Sequence, residues 1–335
     1  MPKLSDLPVP LDLPPMEAKL VDTIPDEPGW RYEPKWDGFR CLAFRAGDEV
    51  ELRAKSGKPL ARYFPDMVEA LRALPVDRFV VDGELVISLH GELSFDALQM
   101  RLHPAASRVN KLAAEQPADF VLFDCLTDGA GGSLIEAPLT KRRAALEALF
   151  ARLDNPAHLR LSPGTTDPAE AQAWLQQSGP ALDGVVAKWL DGPYIPGERA
   201  MLKIKRLRTA DCVVGGFRYA QDSRLVGSLL LGLYDTDGKL DHVGFTSTIT
   251  NAERAELTRR LEALAGAPGF TGNAPGGPSR WSNGRSADWT PLKPELVAEV
   301  RYDQVTGRRF RHGTKLLRWR PDKAPAQCTF EQLRS

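Results

Sequence analysis

Much of what marks a metal cluster, a secreted fold or a membrane protein is missing from this chain. The four cysteines, Cys41, Cys125, Cys212 and Cys328, are far apart and form no C-x-x-C pair. That argues against a zinc knuckle or ribbon and for buried thiols in a reducing compartment. The five histidines, His90, His103, His158, His242 and His312, are scattered without metal-ligand spacing, and no Ser-His-Asp arrangement stands out. No N-terminal apolar run resembles a signal peptide, and no stretch is long and apolar enough to span a membrane. An excess of either charge is missing too, since 44 basic residues balance 44 acidic ones. Any nucleic-acid binding must therefore rest on charge gathered locally. No G-x-x-x-x-G-K-S/T loop occurs and no dinucleotide fingerprint follows a strand, so phosphate recognition falls to side chains.

What is present reads as an ordinary globular protein, 42% hydrophobic and 26% charged over 335 residues, a length that suggests about two domains. The proline-rich residues 1–15 read as an extended arm packed on the body. Alternating apolar patterns predict strands at 40–44, 50–53, 79–87, 120–124, 184–188 and 201–205. Helical spacing predicts helices over 66–74 and 140–153, one opened by Pro168 and ended at Ser178-Gly179-Pro180, and a short one capped by Ser94. The first domain, 1–207, is thus α+β with largely antiparallel sheets. After Arg208 the composition changes to a meander at 212–217, 229–234 and 243–246, a helix over 252–264, and strands at 296–302 and 316–319. Between these lies a long Gly/Pro/Ser-rich connection, 266–292, with Phe270, Trp281 and Trp289 as anchors. Five or so short strands with one helix suit an OB-type barrel for residues 208–335.

Charged residues punctuate the apolar strands at several places. In Glu33-Pro34-Lys35-Trp36-Asp37-Gly38-Phe39-Arg40 a lysine sits beside a turn signal, flanked by rings and carboxylates. Asp82-Gly83-Glu84 interrupts an apolar strand. Asp183 and Lys188 bracket Val185-Val186-Ala187, and Lys203 and Lys205 alternate onto one strand face. Each taken singly also fits a salt-bridged strand end, a solvated lysine edge or a surface hairpin. Together they describe a pocket for a metal-bound polyphosphate, with Lys and Arg on phosphate oxygens and Asp and Glu on Mg²⁺. Lysine is the best nucleophile candidate, by elimination and by context. Residues 301–323 hold Arg301, Arg308, Arg309, Arg311, Lys315, Arg318, Arg320 and Lys323 against Asp303 and Asp322. Arginine dominance there favours phosphate binding over a merely solvated face.

These stretches, in order, resemble the motifs of the covalent nucleotidyltransferases. Lys35-Trp36-Asp37-Gly38-Phe39-Arg40 looks like K-x-D-G-x-R. Ser56-Gly57-Lys58, Asp82-Gly83-Glu84, Val121-Leu122-Phe123-Asp124, Asp183 to Lys188 and Lys203-Ile204-Lys205 resemble the motifs that follow, and Arg318 to Lys323 the closing one. The chain is most similar to ATP-dependent DNA ligases of the small bacterial accessory (LigC-like) type, and Arg309 to Thr314 points the same way. The fourth motif usually begins with Glu, and here it begins with Asp183, a shorter arm.

The resemblance implies an antiparallel-sheet nucleotidyltransferase domain (ATP-grasp-like) followed by an OB-fold domain, and a reaction through a lysyl-adenylate and a DNA-adenylate. It implies Lys35 as the AMP-accepting nucleophile, with Asp37 and Lys205 as further catalytic residues. Glu33 would read the adenine amino group, Phe123 would stack on the base and Arg40 would touch ribose or phosphate. Arg53, Glu84, Lys188, Lys203 and Lys205 would also hold the nucleotide, and Glu84 and Asp183 would position Mg²⁺ (or Mn²⁺). Arg318, Arg320, Asp322 and Lys323 would orient pyrophosphate as the OB domain closes, with a hinge near Arg206 to Thr209. The implied partners are ATP, nicked duplex DNA and repair proteins such as a polymerase. A monomeric cytoplasmic bacterial protein acting at the nucleoid is expected, with no room before Lys35 for a separate DNA-binding domain. The rival reading is an RNA ligase or capping-type guanylyltransferase, which shares the lysine motif.

Overall fold

The computed structural model describes residues 2–153, 156–177, 182–276 and 288–333. The chain forms two units, Met1–Arg206 and Leu207–Ser335. Residues 178–181 and 277–287, which include the expected helix stop at Ser178-Gly179-Pro180 and the expected anchor Trp281, lie outside the described residues.

In the first unit the chain runs through β1 (Ala18–Val21), β2 (Trp30–Trp36), β3 (Phe39–Ala46), β4 (Glu49–Ala54), α1 (Pro65–Arg72) and β5 (Arg78–Val86). A small hairpin of β6 (Ser88–Leu89) and β7 (Glu92–Leu93) leads to α2 (Phe95–Arg101) and α3 (Ala106–Glu115). Then come β8 (Asp119–Cys125), α4 (Leu139–Ala151), β9 (Leu159–Leu161), α5 (Pro168–Gln177), β10 (Leu182–Trp189) and β11 (Met201–Ile204). Helix α1 starts with Pro65 in its first turn, where the missing N–H costs nothing. The expected cap on α2 forms, with Ser94 Oγ accepting from the Ala97 N–H at 3.2 Å. Helix α3, which buries Val109 and Ala113, and the three-residue strand β9 are not among the elements the sequence predicts.

The strands make two sheets, ordered β1-β11-β10-β2 and β4-β3-β5-β8-β9. Only the β1–β11 and β8–β9 pairs among these ladders are parallel. Strands β2 and β3 are therefore not a hairpin; Asp37-Gly38 carries the chain from one sheet to the other. Gly38 is needed there for space, since a Cβ would lie 2.1 Å from the Leu85 carbonyl oxygen.

The five-stranded sheet is buried on both faces, and period-two alternation sorts its residues. Cys41, Ala43, Leu52, Val81, Leu85 and Leu122 pack with Met67 and Leu71 of α1 and Leu146 of α4. Leu42, Phe44 and Val80 point the other way and meet Leu7, Val9 and Met16 of the proline-rich arm. In the four-stranded sheet, Tyr32, Val185, Ala187 and Ile204 pack on α5 through Ala171, Trp174 and Leu175. The alternate residues Glu33, Lys35, Val186, Lys188 and Lys203 must face away from α5. Val186 packs with the Leu42–Phe44–Val80 cluster, so the charged face of one sheet turns toward the other sheet.

The second unit has β12 (Arg208–Tyr219), β13 (Val226–Tyr234), β14 (Leu240–Thr246), α6 (Asn251–Ala263), β15 (Thr290–Pro291) and β16 (Val297–Tyr302). It ends with a hairpin of β17 (Val305–Thr306) and β18 (Arg309–Phe310), followed by β19 (Lys315–Trp319). The sheet order is β14-β13-β12-β16-β19, with β15 on β12. Among the described residues no ladder joins the edge strands β14 and β19; they meet at one isolated bridge, Thr246–Thr314. Phe270 and Trp289 anchor the long connection as expected, ring centroids 5.5 Å apart. No described helix is long and apolar enough to cross a membrane.

Candidate active site

Lys35 lies on β2 opposite Gly184 of β10. Its Nζ is 2.6 Å from Asp183 Oδ2, and Lys205 Nζ is 2.9 Å from the same oxygen. Asp183 reaches both because it is the extra residue of a β-bulge: Leu182 pairs with Trp36 and Gly184 with Lys35, leaving Asp183 unopposed. Gly184 permits the bulge, with φ +141° and room for a hydrogen only, since a Cβ would sit 2.0 Å from the Ile204 carbonyl oxygen. Asp183 is buried. Two ammonium groups compensate the cost of burying its charge.

A second bulge delivers Phe123. Asp82 pairs with Asp124 and Gly83 with Leu122, so Phe123 has no partner across the β5–β8 ladder. The Arg40 guanidinium lies 4.6 Å and the Lys188 ammonium 4.5 Å from its ring centroid. Arg40 donates to both oxygens of Asp82 at 2.6 Å and to the Met16 carbonyl at 3.3 Å. Tyr194 Oη donates to Asp82 Oδ2 at 2.6 Å and accepts from the Met16 N–H at 3.0 Å. Lys188 Nζ is 2.8 Å from Glu33 Oε2, while Arg31 Nε donates to Glu33 Oε1 at 3.3 Å. Glu84 Oε1 accepts from the Gly38 N–H at 3.2 Å. Burial pushes the Glu84 carboxyl up to about 7, against the pull of Lys35 and Arg40. Burial also lowers the Lys203 ammonium, helped by repulsion from Lys35 and Lys205.

A lysine held by a carboxylate among further cations, beside a caged aromatic ring, suits transfer of a phosphoryl-linked group to nitrogen. The comparisons agree. Residues 15–205 match the ATP dependent DNA ligase domain, and residues 222–323 match the ATP dependent DNA ligase C terminal region. The chain belongs to the ATP-dependent DNA ligases. It is 47% identical over 339 residues to DNA ligase C1 of Mycolicibacterium smegmatis, covering 98% of this chain and 95% of that one. To DNA ligase C of Mycobacterium tuberculosis it is 44% identical over 343 residues, covering 98% and 95%. Among solved structures it is similar to mycobacterial DNA ligase D complexed with ATP and MES, at 30% identity and TM-score 0.51, covering 95% of this chain and 98% of that one. The protein is thus a LigC-like DNA ligase that uses ATP.

The ligase brings together most of the residues singled out by sequence. Lys35 and Lys205 pair with Asp183, Lys188 pairs with Glu33 beside the Phe123 ring and Arg40, and Glu84 feels the charges of Lys35 and Arg40. Asp37 stands in the crossing between the sheets, where its charge acts on Glu84. Arg53 is placed differently. It lies on the edge strand β4, 3.0 Å from Glu51 and bonded to the Gly57 carbonyl at 3.2 Å. Three participants were missed: Asp82, which appeared only as the start of Asp-Gly-Glu, Tyr194, and Arg31. The parity of Asp82 with Glu84 signals a shared face. Tyr194 carries no local signal, because its partners are 112 and 178 residues away.

In the second unit the closing motif is held by its own sheet. Arg320 Nη1 donates to both oxygens of Asp211 at 3.0 Å, and Lys323 Nζ donates to Asp211 Oδ2 at 2.7 Å. Arg320 also pairs with Asp322 at 2.8 Å, and Arg318 Nε donates to Glu299 at 2.5 Å. Neither Asp211 nor Glu299 stood out in the sequence.

Proposed function

We propose that Lys35 is the AMP acceptor of this ligase, and the observation that carries the reading is the convergence of Lys35 and Lys205 on buried Asp183. An ammonium cannot attack, so Lys35 must first lose a proton, and Asp183 Oδ2 at 2.6 Å is in place to receive it. Nζ then bonds to the α-phosphorus of ATP as the bond to pyrophosphate breaks. Next, a 5′-phosphate oxygen at the nick takes the AMP and the N–P bond breaks. The 3′-hydroxyl finally displaces AMP to close the strand. Lys203, on the same sheet face as Lys35, and Lys205, just past the end of β11, supply positive charge to the transferring group.

Glu33, Arg40, Arg53, Phe123 and Lys188 serve the nucleotide in this reading. Because Arg40 and Lys188 both lie against the Phe123 ring, a base stacking there must displace one of them. Glu84 and Asp183 would hold Mg²⁺ (or Mn²⁺): two carboxylates fit a hard cation that draws its other ligands from phosphate and water. The metal would supply charge neutralisation to the polyphosphate.

Residues 1–207 act as the adenylation domain and 208–335 as an OB-type domain, in which Arg318, Arg320 and Lys323 orient pyrophosphate. In this reading a monomer seals nicks within the cytoplasm, alongside a repair polymerase or other repair proteins, and four buried free thiols fit a reducing compartment. Incubation with α-labelled ATP tests the reading. Wild type becomes labelled and seals nicked duplex DNA, whereas Lys35→Ala does neither. Label on Lys35→Ala would assign another nucleophile, and labelling by GTP in place of ATP would favour the guanylyltransferase alternative.

A further inference from the structure

We infer that Asp211 is a positioning residue for lysine adenylation, acting through Lys323. This rests on the reading that the closing motif orients pyrophosphate. Asp211 is a buried carboxylate on β12, directly across the ladder from Glu299 on β16. Its two oxygens take three hydrogen bonds, two from Arg320 and one from Lys323. Its backbone is clamped as well: Gln332 Oε1 accepts from the Asp211 N–H at 3.0 Å, and Gln332 Nε2 donates to the Asp211 carbonyl at 3.1 Å. A side chain fixed at both ends in this way is a rigid post.

The cations it holds differ in what they keep available. Arg320 spends Nε and Nη2 on Asp322 and Nη1 on Asp211. Among the described residues the Lys323 ammonium has one hydrogen bond, to Asp211, and an ammonium carries three donors. Lys323 thus retains donors for an anion, while Asp211 fixes where that ammonium stands. Arg318 is set on the neighbouring Glu299 and is mostly exposed. Removing the Asp211 charge frees a long lysine side chain to sample its rotamers and leaves Arg320 with Asp322 alone. Loss of a fixed geometry slows the step that needs it, by as much as a hundredfold for small displacements.

The test separates the steps of ligation in the full-length protein. Asp211→Asn, Lys323→Ala and the double variant are assayed for labelling by α-labelled ATP and for sealing of a nick that already carries 5′-AMP. Asp211→Asn is expected to adenylate roughly tenfold more slowly or worse, with sealing of the pre-adenylated nick unchanged. The double variant is expected to be no slower than Lys323→Ala, as for residues acting through one contact. Equal loss in both steps would mark Asp211 as merely structural and overturn the inference, as would independent, multiplying losses. Normal adenylation by Asp211→Asn beside a slow Lys323→Ala also overturns it. A normal Lys323→Ala removes the closing-motif reading itself, and the inference with it. Where Asp211→Asn does not fold, Asp211→Glu keeps the charge and shifts it by one methylene; the same step-selective loss is expected, and full activity overturns the inference.

Discussion

Two bulged residues and two glycines set the geometry around Lys35, and the neighbouring Glu84 couples the stability of the fold to pH. The folded Glu84 carboxyl, at about 7, lies above its ordinary 4.5. The folded protein therefore keeps a proton that the unfolded chain releases, and stability falls as pH rises through that window. Glu84→Gln does not titrate and still offers an acceptor to the Gly38 N–H. Relative to wild type it should gain stability as pH is raised from 4.5 toward 7. Thermal midpoints measured at both ends of the window check this; a flat or reversed difference would mean that Lys35 and Arg40, not burial, dominate at this carboxyl. For Lys35 itself, the proposed role as AMP acceptor predicts that Lys35→Ala loses AMP transfer altogether, a loss that labelling with α-labelled ATP measures.

At the scale of elements, several are tied down by arginines that reach carbonyls rather than carboxylates. Arg45 on β3 donates to the carbonyls of Leu71, Arg72, Leu74 and Val76 at 2.6 to 2.9 Å. It thereby satisfies the last turn of α1, whose carbonyls have no partner within the helix. Burial lowers its guanidinium, against the pull of Asp77 and Asp48. Arg45→Met should destabilise the first unit by roughly 3 kcal/mol, the scale for losing hydrogen bonds from a charged donor to buried acceptors. Chemical denaturation reads that loss, and a change within error would mean that water replaces the guanidinium. The closing motif of the second unit is held by a carboxylate instead, with Asp211 as the fixed point to which Arg320 and Lys323 attach.

For the whole molecule, zero net charge means that DNA must be held by local clusters. Residues 301–323 supply one, and exposed Lys315 on β19 belongs to it. Binding to nicked duplex should weaken steeply with salt as phosphate contacts release counterions. Lys315→Ala should lower affinity evenly across DNA sequences and reduce the slope of log affinity against log salt by about 1. Titrations of labelled nicked DNA at several salt concentrations measure both, and a slope unaffected by the substitution would place the DNA contact elsewhere.

The order of motifs from Lys35 to Lys323, the α+β character, the main strands and the helices at 139–151 and 251–263 were all legible in the linear chain. Period-two alternation and local turn chemistry act over a few residues, so sequence spacing records them. Even the glycines of the motifs could be read, although Gly38 answers to crowding by Leu85 and not to a left-handed turn. Which sheet each motif joins could not be read that way. Lys35 meets Asp183, Arg40 and Tyr194 each meet Asp82, and Arg320 meets Asp211, all across more than 40 residues of chain. Those pairings follow from strand order and from two single-residue bulges, which depend on long-range packing rather than local pattern. The chain by itself determined which groups were available for chemistry; the tertiary structure decided which cation each carboxylate would hold.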